Sequence, residues 1–378
     1  MVMHKTLTLS AGLVMGALFS APSFATGGKT ESPLPTGPVK LERIAYFPEQ
    51  QITGVAVTHS GRIFVSLPRL SQDVPVTLGE VVDGKITPYP DTAWNGYRSQ
   101  ASEHNDPQHQ FVSAQAVVMD HQGMLWVLDA AAPNRTGPIV EGVKLVQIDP
   151  STNSIKRVFR FDPSITQPGS SLNDVRFSPD DRFAYLTNVG KTGGLAVADL
   201  KTGRSWNVLL GDRSTQSEGV QLTKNGKPLM TPDGKKLELN ADGIEISPDG
   251  KTLYWQALTG KTLYSLPTAV LQSEEKAKHA VPDVAAHTHA ADGLWIDRAG
   301  RFYVSSPGEN AIEVADHVGA PLKKLVKDEA MRWPDSFAQD KAGNLYISAS
   351  FIGDSPWFDP TAKTTPSAIF KISPAKAE

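Results

Sequence analysis

The chain contains no cysteine in 378 residues. This excludes disulfides, thiol catalysis and zinc or iron–sulfur sites built on cysteine. The chain also has no excess of positive charge, since 37 Lys and Arg stand against 40 Asp and Glu. Nucleic acid is therefore not an expected partner, because its binding requires a basic footprint. No G-x-S-x-G, H-E-x-x-H, phosphate-loop or dinucleotide motif occurs in the sequence, so no nucleotide cofactor is expected.

Long hydrophobic runs are scarce, and the longest one lies at the N-terminus. Residues 7–19 are almost wholly apolar or small, Lys5 precedes them, and the small residues Ser23 and Ala25 follow. This pattern predicts a signal peptide over residues 1–25 with cleavage near Ala25, followed by a flexible lead-in over residues 26–40. A secreted or periplasmic location follows from it. No other segment is long enough to predict a membrane span.

Turn-forming residues are abundant, with 31 Gly and 28 Pro. Six segments share one pattern: an alternating apolar run, a turn on Gly or Asp, and a second apolar run. Ile244 and Ile246 show the period of two that marks a strand with one buried face, and Asp249–Gly250 supplies a tight turn. The six turn residues lie 43 to 69 positions apart: Gly61, Gly123, Asp181, Gly250, Gly300 and Gly343.

Further strand-like runs between these hairpins complete about four strands per repeat. Six such repeats predict an all-β fold, a six-bladed β-propeller with four-stranded antiparallel blades around a central channel. Two stacked β-sandwiches are the alternative fold. One domain over residues 41–374 is expected. Residues 367–373 are predicted to pair with the N-terminal blade, and residues 40–48 to supply the other half of that closure.

The residue that precedes each inner strand is expected to point into one mouth of the channel. Carboxylates and amides at these positions would form a negative, oxygen-rich cluster, which suits Ca²⁺ or a cationic ligand. The alternative is that Asp and Asn there only begin turns. We predict Gln115, Asn173, Asp242 and Asp335 as ligand-binding residues. The six mouth positions are Thr53, Gln115, Asn173, Asp242, Asp292 and Asp335.

Two histidine-containing loops and one aromatic loop are expected over the same mouth. His287 and His289 precede Asp292, while His104 and His109 precede Gln115. An imidazole there could bind a transition metal or act as a general base, and the alternative is that these histidines are only polar residues of surface loops. Trp94, in the long polar loop DTAWNGYRSQ, is a candidate wall of the site, although packing within a blade is the alternative. His289 and Trp94 are therefore predicted as ligand-binding residues.

The sequence resembles the major royal jelly/yellow protein family. The resemblance rests on LWVLDA, KLVQIDPSTNSI, SLNDVRFSPDDRFAYLTNVG, GGLAVADLKTGRSW, DGIEISPDGKTLYWQ, ADGLWIDRAGRFYVSS and WPDSFAQDKAGNLYIS, in order from about residue 50 to 372. It implies a secreted six-bladed propeller that binds small molecules such as amines or sterols, and some members are linked to dopachrome conversion.

A more distant resemblance is to the gluconolactonase and senescence marker propellers. It implies Asn173, Asp242 and Asp292 as calcium ligands and Asp292 as a general base in lactone hydrolysis, with Thr53 where that family has a glutamate. Three functions stay open: a propeller that binds a small polar or amine ligand, a calcium-dependent lactonase, and a protein-docking propeller. An enzyme would be a metal-dependent lactone hydrolase or a dopachrome-type isomerase.

Overall fold

The computed structural model describes residue 1 and residues 38–70, 73–100 and 102–375. The predicted signal peptide and most of the predicted lead-in lie outside the described residues from 38 onward. Within the described part, no helix is long and apolar enough to cross a membrane. The helices that these residues form are short. They are α1 (Thr268–Leu271), α2 (Glu274–Ala277) and four 3₁₀ turns at Pro133–Arg135, Val140–Gly142, Arg213–Thr215 and Ile352–Asp354.

Strands form six antiparallel sheets of four, which confirms the predicted six-bladed propeller. The N-terminal strand is β1 (Val39–Phe47). Blade 1 contains β2 (Val55–Val57), β3 (Ile63–Ser66), β4 (Leu78–Val82) and β5 (Lys85–Pro88). Blade 2 contains β6 (Ala114–Met119), β7 (Leu125–Asp129), β8 (Lys144–Asp149) and β9 (Ser154–Arg160). Blade 3 contains β10 (Leu172–Phe177), β11 (Phe183–Asn188), β12 (Gly194–Asp199) and β13 (Arg204–Val208).

A small hairpin, β14 (Thr223–Lys224) and β15 (Lys227–Pro228), follows blade 3. Blade 4 contains β16 (Ala241–Ile246), β17 (Thr252–Ala257), β18 (Thr262–Pro267) and β19 (Asp283–His287). Blade 5 contains β20 (Leu294–Ile296), β21 (Phe302–Ser306), β22 (Ala311–Ala315) and β23 (Lys323–Lys327). Blade 6 contains β24 (Pro334–Gln339), β25 (Leu345–Ala349) and β26 (Ser367–Pro374), with β1 as its fourth strand.

The two ends of the propeller are joined within blade 6. Strand β1 pairs antiparallel with β26, from Val39 opposite Pro374 to Phe47 opposite Ser367. The predicted pairing of the two terminal segments is present, but the N-terminal strand joins the last blade rather than bringing β26 to the first. Closure of the ring in this way leaves no long sheet edge between the first and last blades.

The turn between the first two strands of each blade has the backbone that the sequence pattern indicates. All six predicted turn residues adopt positive φ, including the non-glycine Asp181 at 51°. An aspartate before the turn then accepts a hydrogen bond from an aromatic side chain six positions later in three blades. The pairs are Asp120–Trp126 (2.8 Å), Asp297–Tyr303 (3.1 Å) and Asp340–Tyr346 (3.1 Å).

The core lies between neighbouring blades, where the faces of adjacent sheets pack against each other. Trp126 of blade 2 contacts Phe177 of blade 3, with ring centroids 5.1 Å apart. Trp255 of blade 4 is completely buried in a cluster that also includes Tyr185 of blade 3. Each blade therefore depends on its neighbours for burial of its apolar faces, and the ring holds the inner strands around one axis.

Two insertions stand at one end of the channel. One contains the β14–β15 hairpin, and the other follows β25. They share an apolar cluster that includes Leu222, Leu229, Trp333 and Ile352. Lys224 joins them by donating to the Gly353 carbonyl at 2.9 Å and by an ion pair with Asp354. The insertions therefore form one wall of the channel mouth.

Candidate functional site

Irregularities in the inner strands determine where the mouth residues lie. The pairing of the first two strands shifts register at Gln115 in β6, at Asn173 in β10, at Asp242 in β16 and at Asp335 in β24. A β-bulge leaves a residue unpaired and turns its side chain away from the regular alternation. These bulges direct four polar side chains from four blades toward the same space.

Hydroxyl groups on the second strands fix the bulges. In blade 1 the Ser66 hydroxyl accepts from the Gly54 amide (2.9 Å) and donates to the Gln115 carbonyl of blade 2 (2.9 Å). Thr187 of blade 3 donates to the Asp242 carbonyl of blade 4 at 2.7 Å. Ser348 of blade 6 donates to the Thr53 carbonyl of blade 1. One blade thus positions the mouth residue of the next, including across the closure of the ring.

The mouth side chains form a hydrogen-bonded row. Gln115 Nε2 donates to Asn173 Oδ1 at 3.0 Å, and Asn173 Nδ2 donates to Asp242 Oδ1 at 2.8 Å. Trp333 Nε1 donates to Asp292 Oδ2 at 2.6 Å. The Asp242 and Asp292 carboxyl groups form a hydrogen bond with each other, which raises the pKa of Asp242 and lowers that of Asp292. Side chains from five blades are therefore linked in one network around the axis.

The network buries three carboxyl groups together. Asp242, Asp292 and Asp335 are only 5, 7 and 7% exposed. Burial is the main cause that raises the pKa of each, since it penalises the charged form. The pKa of Asp292 rises to about 6, held from rising further by its hydrogen bonds from Trp333 and Asp242. Repulsion by Asp292 adds to the rise in the pKa of both Asp242 and Asp335.

A salt-bridge cluster separates these carboxyl groups from the opposite end of the channel. Arg176 binds Asp174 at 2.9 Å and Glu245 at 3.0 Å, so its charge is already balanced. Arg176 and Glu245 line a separate cavity at that end, with a volume of about 500 Å³. The three carboxyl groups of the mouth therefore lack an equivalent cationic partner among the residues that the structure describes.

A cavity of about 390 Å³ lies over the carboxyl groups. Its volume falls in the range of roughly 300–1,000 Å³ that is usual for small-molecule sites. Apolar side chains from several blades form much of its wall: Leu70, Leu239, Leu258, Trp333, Ile352 and Trp357. Arg135 and Lys191 also line it, and the Arg135 guanidinium lies 3.6 Å from the centre of the Trp357 ring. The cavity combines an acidic floor, an apolar wall and basic residues.

The structure brings the six predicted mouth positions together in this cavity. Thr53, Gln115, Asn173, Asp242, Asp292 and Asp335 all line it. Sequence analysis did not single out Arg135, Trp357 or the donor role of Trp333. The signal for Trp333 was its place directly before the inner strand of blade 6, whereas Arg135 and Trp357 lie in loops without periodicity.

The structure places His289 and Trp94 outside the set of described residues that line the cavity. His289 Nε2 instead lies 3.2 Å from the Glu313 carboxylate of the neighbouring blade, which holds the ring away from the mouth. Trp94 packs against Phe111, with ring centroids 5.0 Å apart, because its loop folds back on the core of blades 1 and 2. The other predicted loop histidines, His104, His109 and His287, are exposed and also lie outside the described lining of the cavity.

The donor chemistry of the mouth suits a hard cation, since Asn173, Asp242 and Asp292 present oxygen atoms. However, the described part of the chain holds no group of three or more His, Asp or Glu side chains already gathered around one ion position. Asn173 also uses both ends of its amide, toward Gln115 and Asp242. The residues that would hold Ca²⁺ are thus present. To bind the ion, however, the Asn173 side-chain oxygen would have to give up the hydrogen bond that it accepts from Gln115.

The fold and this site define a six-bladed propeller with an acidic cavity at one channel mouth. The profile of the family described as "Major royal jelly protein" matches residues 112–351, and the chain belongs to that family. A search of the curated proteins finds no significant match.

Several solved structures are similar in fold. A luciferin-regenerating enzyme is 11% identical with a TM-score of 0.54, over 89% of this chain and 95% of that one. A gluconolactonase from Xanthomonas campestris is 13% identical with a TM-score of 0.53, over 90% and 96%. The calcium-binding protein regucalcin from Agrobacterium tumefaciens is 15% identical with a TM-score of 0.51, over 88% and 96%. At these identities the likeness extends to the fold alone.

Proposed function

We propose that this protein acts outside the cytoplasm, after removal of its first 25 residues, and binds a small organic cation in the mouth cavity. The observation that carries the proposal is the burial of Asp242, Asp292 and Asp335 beneath an apolar wall. A protonated amine would supply the countercharge that these carboxyl groups lack, and its carbon skeleton would pack against Trp333 and Trp357.

The electrostatics of the floor favour an amine over a neutral ligand. Carboxyl groups with raised pKa values hold protons that a bound ammonium would displace. Binding should therefore release protons and strengthen as the pH rises through about 6, where Asp292 ionises. A neutral alcohol of the same shape would gain the apolar contacts and a hydrogen bond, but no attraction between opposite charges.

The test is isothermal titration calorimetry with 2-phenylethylamine and its neutral counterpart 2-phenylethanol, at pH 5 and pH 7.5. We expect the amine to bind more tightly at pH 7.5 than at pH 5, and the alcohol to bind weakly at both. Asp242→Asn and Asp335→Asn should each lower the affinity for the amine. Equal affinity for amine and alcohol, or no dependence on the two aspartates, would contradict the proposal.

Calcium-dependent lactone hydrolysis is the second candidate, favoured by the oxygen donors of Asn173, Asp242 and Asp292. Calcium, when bound there, would polarise the lactone carbonyl. Asp292 would remove a proton from the attacking water, since its pKa of about 6 leaves it ionised but basic at neutral pH. Metal analysis of untreated protein, with lactone turnover before and after EDTA, tests this candidate. Protein without bound calcium and without EDTA-sensitive turnover would eliminate it.

A further inference from the structure

Arg135 is held in an unusual conformation at the edge of the cavity. It lies in the loop between β7 and β8, and both Asn134 and Arg135 have φ of 55°. Residues other than glycine rarely adopt this left-handed backbone, which costs free energy and is found mostly where the surroundings impose it. The guanidinium then stacks on Trp357 from the loop after β25 in blade 6. Two distant loops therefore fix one cation beside the cavity.

The stacked guanidinium keeps its hydrogen-bonding capacity. Stacking occupies the flat face of the group, whereas its five N–H donors point outward in the plane. Among the described residues, no side chain or carbonyl accepts a hydrogen bond from the Arg135 guanidinium, and no carboxylate forms an ion pair with it. By contrast, other arginines of the fold are paired with carboxylates: Arg62, Arg69, Arg176, Arg182 and Arg301. Arg135 thus retains donors for an external anionic group.

The charges around the cavity are consequently separated. The carboxyl groups of Asp242, Asp292 and Asp335 are buried at the inner strands. Arg135 and Lys191 are exposed residues of the loops that follow the second strands of blades 2 and 3. Neither forms an ion pair with a described carboxylate, although both line the same cavity as the three aspartates. A ligand in this space meets negative charge at its inner end and positive charge at its outer end.

From this arrangement we infer that the cavity takes a zwitterion, an α-amino acid or a molecule with the same two groups. The inference rests on the proposed function, since it uses the same cavity and the same ammonium contacts. The ammonium lies toward Asp242, Asp292 and Asp335, and the carboxylate accepts two N–H bonds from Arg135. A planar guanidinium matches the two oxygens of a carboxylate, which gives a stronger contact than a single point charge. An apolar side chain would face Trp333 and Trp357.

The experiment compares three probes that share a 2-phenylethyl unit: phenylalanine, 2-phenylethylamine and 3-phenylpropionate. Their affinities for the full mature protein are measured by calorimetry at pH 7.5, with wild type, Arg135→Gln and Arg213→Gln. Arg213 is the matched control because it is also exposed and lies outside the described lining of the cavity. Lys191→Gln is a second variant that tests the other basic residue.

We expect wild type to bind phenylalanine at least about tenfold more tightly than 2-phenylethylamine, as a charge-assisted contact provides. Arg135→Gln should abolish this preference, because it removes the contact to the carboxylate and leaves the three aspartates that bind the ammonium, and Arg213→Gln should leave the preference as in wild type. 3-Phenylpropionate, which has the carboxylate but no ammonium group, should bind most weakly of the three probes.

Each contrary outcome has a separate meaning. Equal affinity of wild type for amine and amino acid overturns the zwitterion inference and leaves amine binding intact. A preference that persists in Arg135→Gln but disappears in Lys191→Gln overturns the assignment to Arg135. Failure of all three probes to bind overturns the proposed function itself. Circular dichroism of each variant, with an unchanged spectrum expected, separates these outcomes from loss of folding.

Discussion

Asn173 Nδ2 donates a 2.8 Å hydrogen bond to Asp242 Oδ1, although the two residues belong to different blades and lie 69 positions apart. The bond exists because each side chain is displaced by a bulge in its own inner strand. It gives Asp242 a donor at a point where the neighbouring carboxyl groups repel a negative charge. The Asn173 amide therefore couples the packing of blades 3 and 4 to the ionisation of Asp242.

Replacement of Asn173 by Asp should destabilise the ligand-free protein in a pH-dependent way. The change removes the donor to Asp242 and adds a fourth acidic group to the network. We expect the free energy of unfolding at pH 7.5 to fall by about 1–3 kcal/mol, as for a buried acceptor left without its donor. Urea unfolding at pH 4.5 should show a smaller loss, because protonation relieves the repulsion.

The matched control for this change is Asn225→Asp. Asn225 is exposed and lies in the turn of the small hairpin, so a new carboxylate there should leave stability within about 0.5 kcal/mol of wild type. A loss of equal size for both variants, or a loss at position 173 that is independent of pH, would contradict the role assigned to the amide.

The raised pKa of Asp292 predicts a pH dependence of the free energy of unfolding. Its pKa of about 6 lies above the ordinary value of 3.8, so the folded protein holds a proton that the unfolded chain releases. Stability contributed by this group falls as the pH rises from about 4 to about 6 and then stays constant. The difference corresponds to a cost of about 3 kcal/mol above pH 6 for this buried carboxylate.

Asp292→Asn should therefore be more stable than wild type at pH 7.5 and equal to it near pH 4. Its amide oxygen can still accept from Trp333, so the hydrogen bond is retained. Chemical unfolding at pH 4, 6 and 7.5 measures the effect, with Asp316→Asn at an exposed position as control. A constant difference between Asp292→Asn and wild type over this range would show that the carboxyl group does not titrate as described.

Much of the fold follows from the sequence because its causes are local. Alternating apolar residues and left-handed turn positions such as Gly250 specify each hairpin, and six repeats require closure. The same repeat pattern predicted the six mouth positions. It did not predict which mouth side chains bond to each other, because those bonds depend on bulges and on hydroxyl groups that bond to a neighbouring blade, such as that of Ser66.

The remaining site residues lie where no repeat constrains the chain. Arg135 and Trp357 come from loops of different blades, and their contact depends on how two non-repetitive segments fold over the mouth. His289 shows the opposite case, since its place in the sequence suggested the mouth while Glu313 draws its ring elsewhere. Proximity along the chain to a mouth residue is therefore weak evidence that a loop side chain lines the cavity.

Ser348 is expected to be important for closure of the ring. Its hydroxyl accepts from the Ser336 amide at 3.0 Å and donates to the Thr53 carbonyl, so it connects blade 6 to blade 1. Ser348→Ala would leave both backbone groups unpaired in a fully buried place. We expect a loss of about 1–3 kcal/mol in unfolding free energy, whereas Ser60→Ala at an exposed turn should have little effect. Indistinguishable melting curves for Ser348→Ala and wild type would refute this role.

A buried ion pair supports the loop that carries Arg135. Lys144 Nζ lies 2.8 Å from Asp129 Oδ2, and both side chains are completely buried. The same aspartate accepts from the backbone amides of Val112, Ser113 and Ala131, the last of which begins the segment that leads to Arg135. Burial lowers the pKa of Lys144, and its attraction to Asp129 opposes that change. Asp129 therefore joins the core of blade 2 to the edge of the cavity.

Lys144→Met should cost about 3–5 kcal/mol of unfolding free energy, because it leaves the Asp129 carboxylate buried without its cation. Asp129→Asn combined with Lys144→Met should recover part of that loss, since no lone charge then remains. Lys156→Met, which removes a partly exposed ion pair with Asp149, should cost less than about 1 kcal/mol. If the double variant is no more stable than Lys144→Met alone, the cost arises from packing rather than from the uncompensated charge.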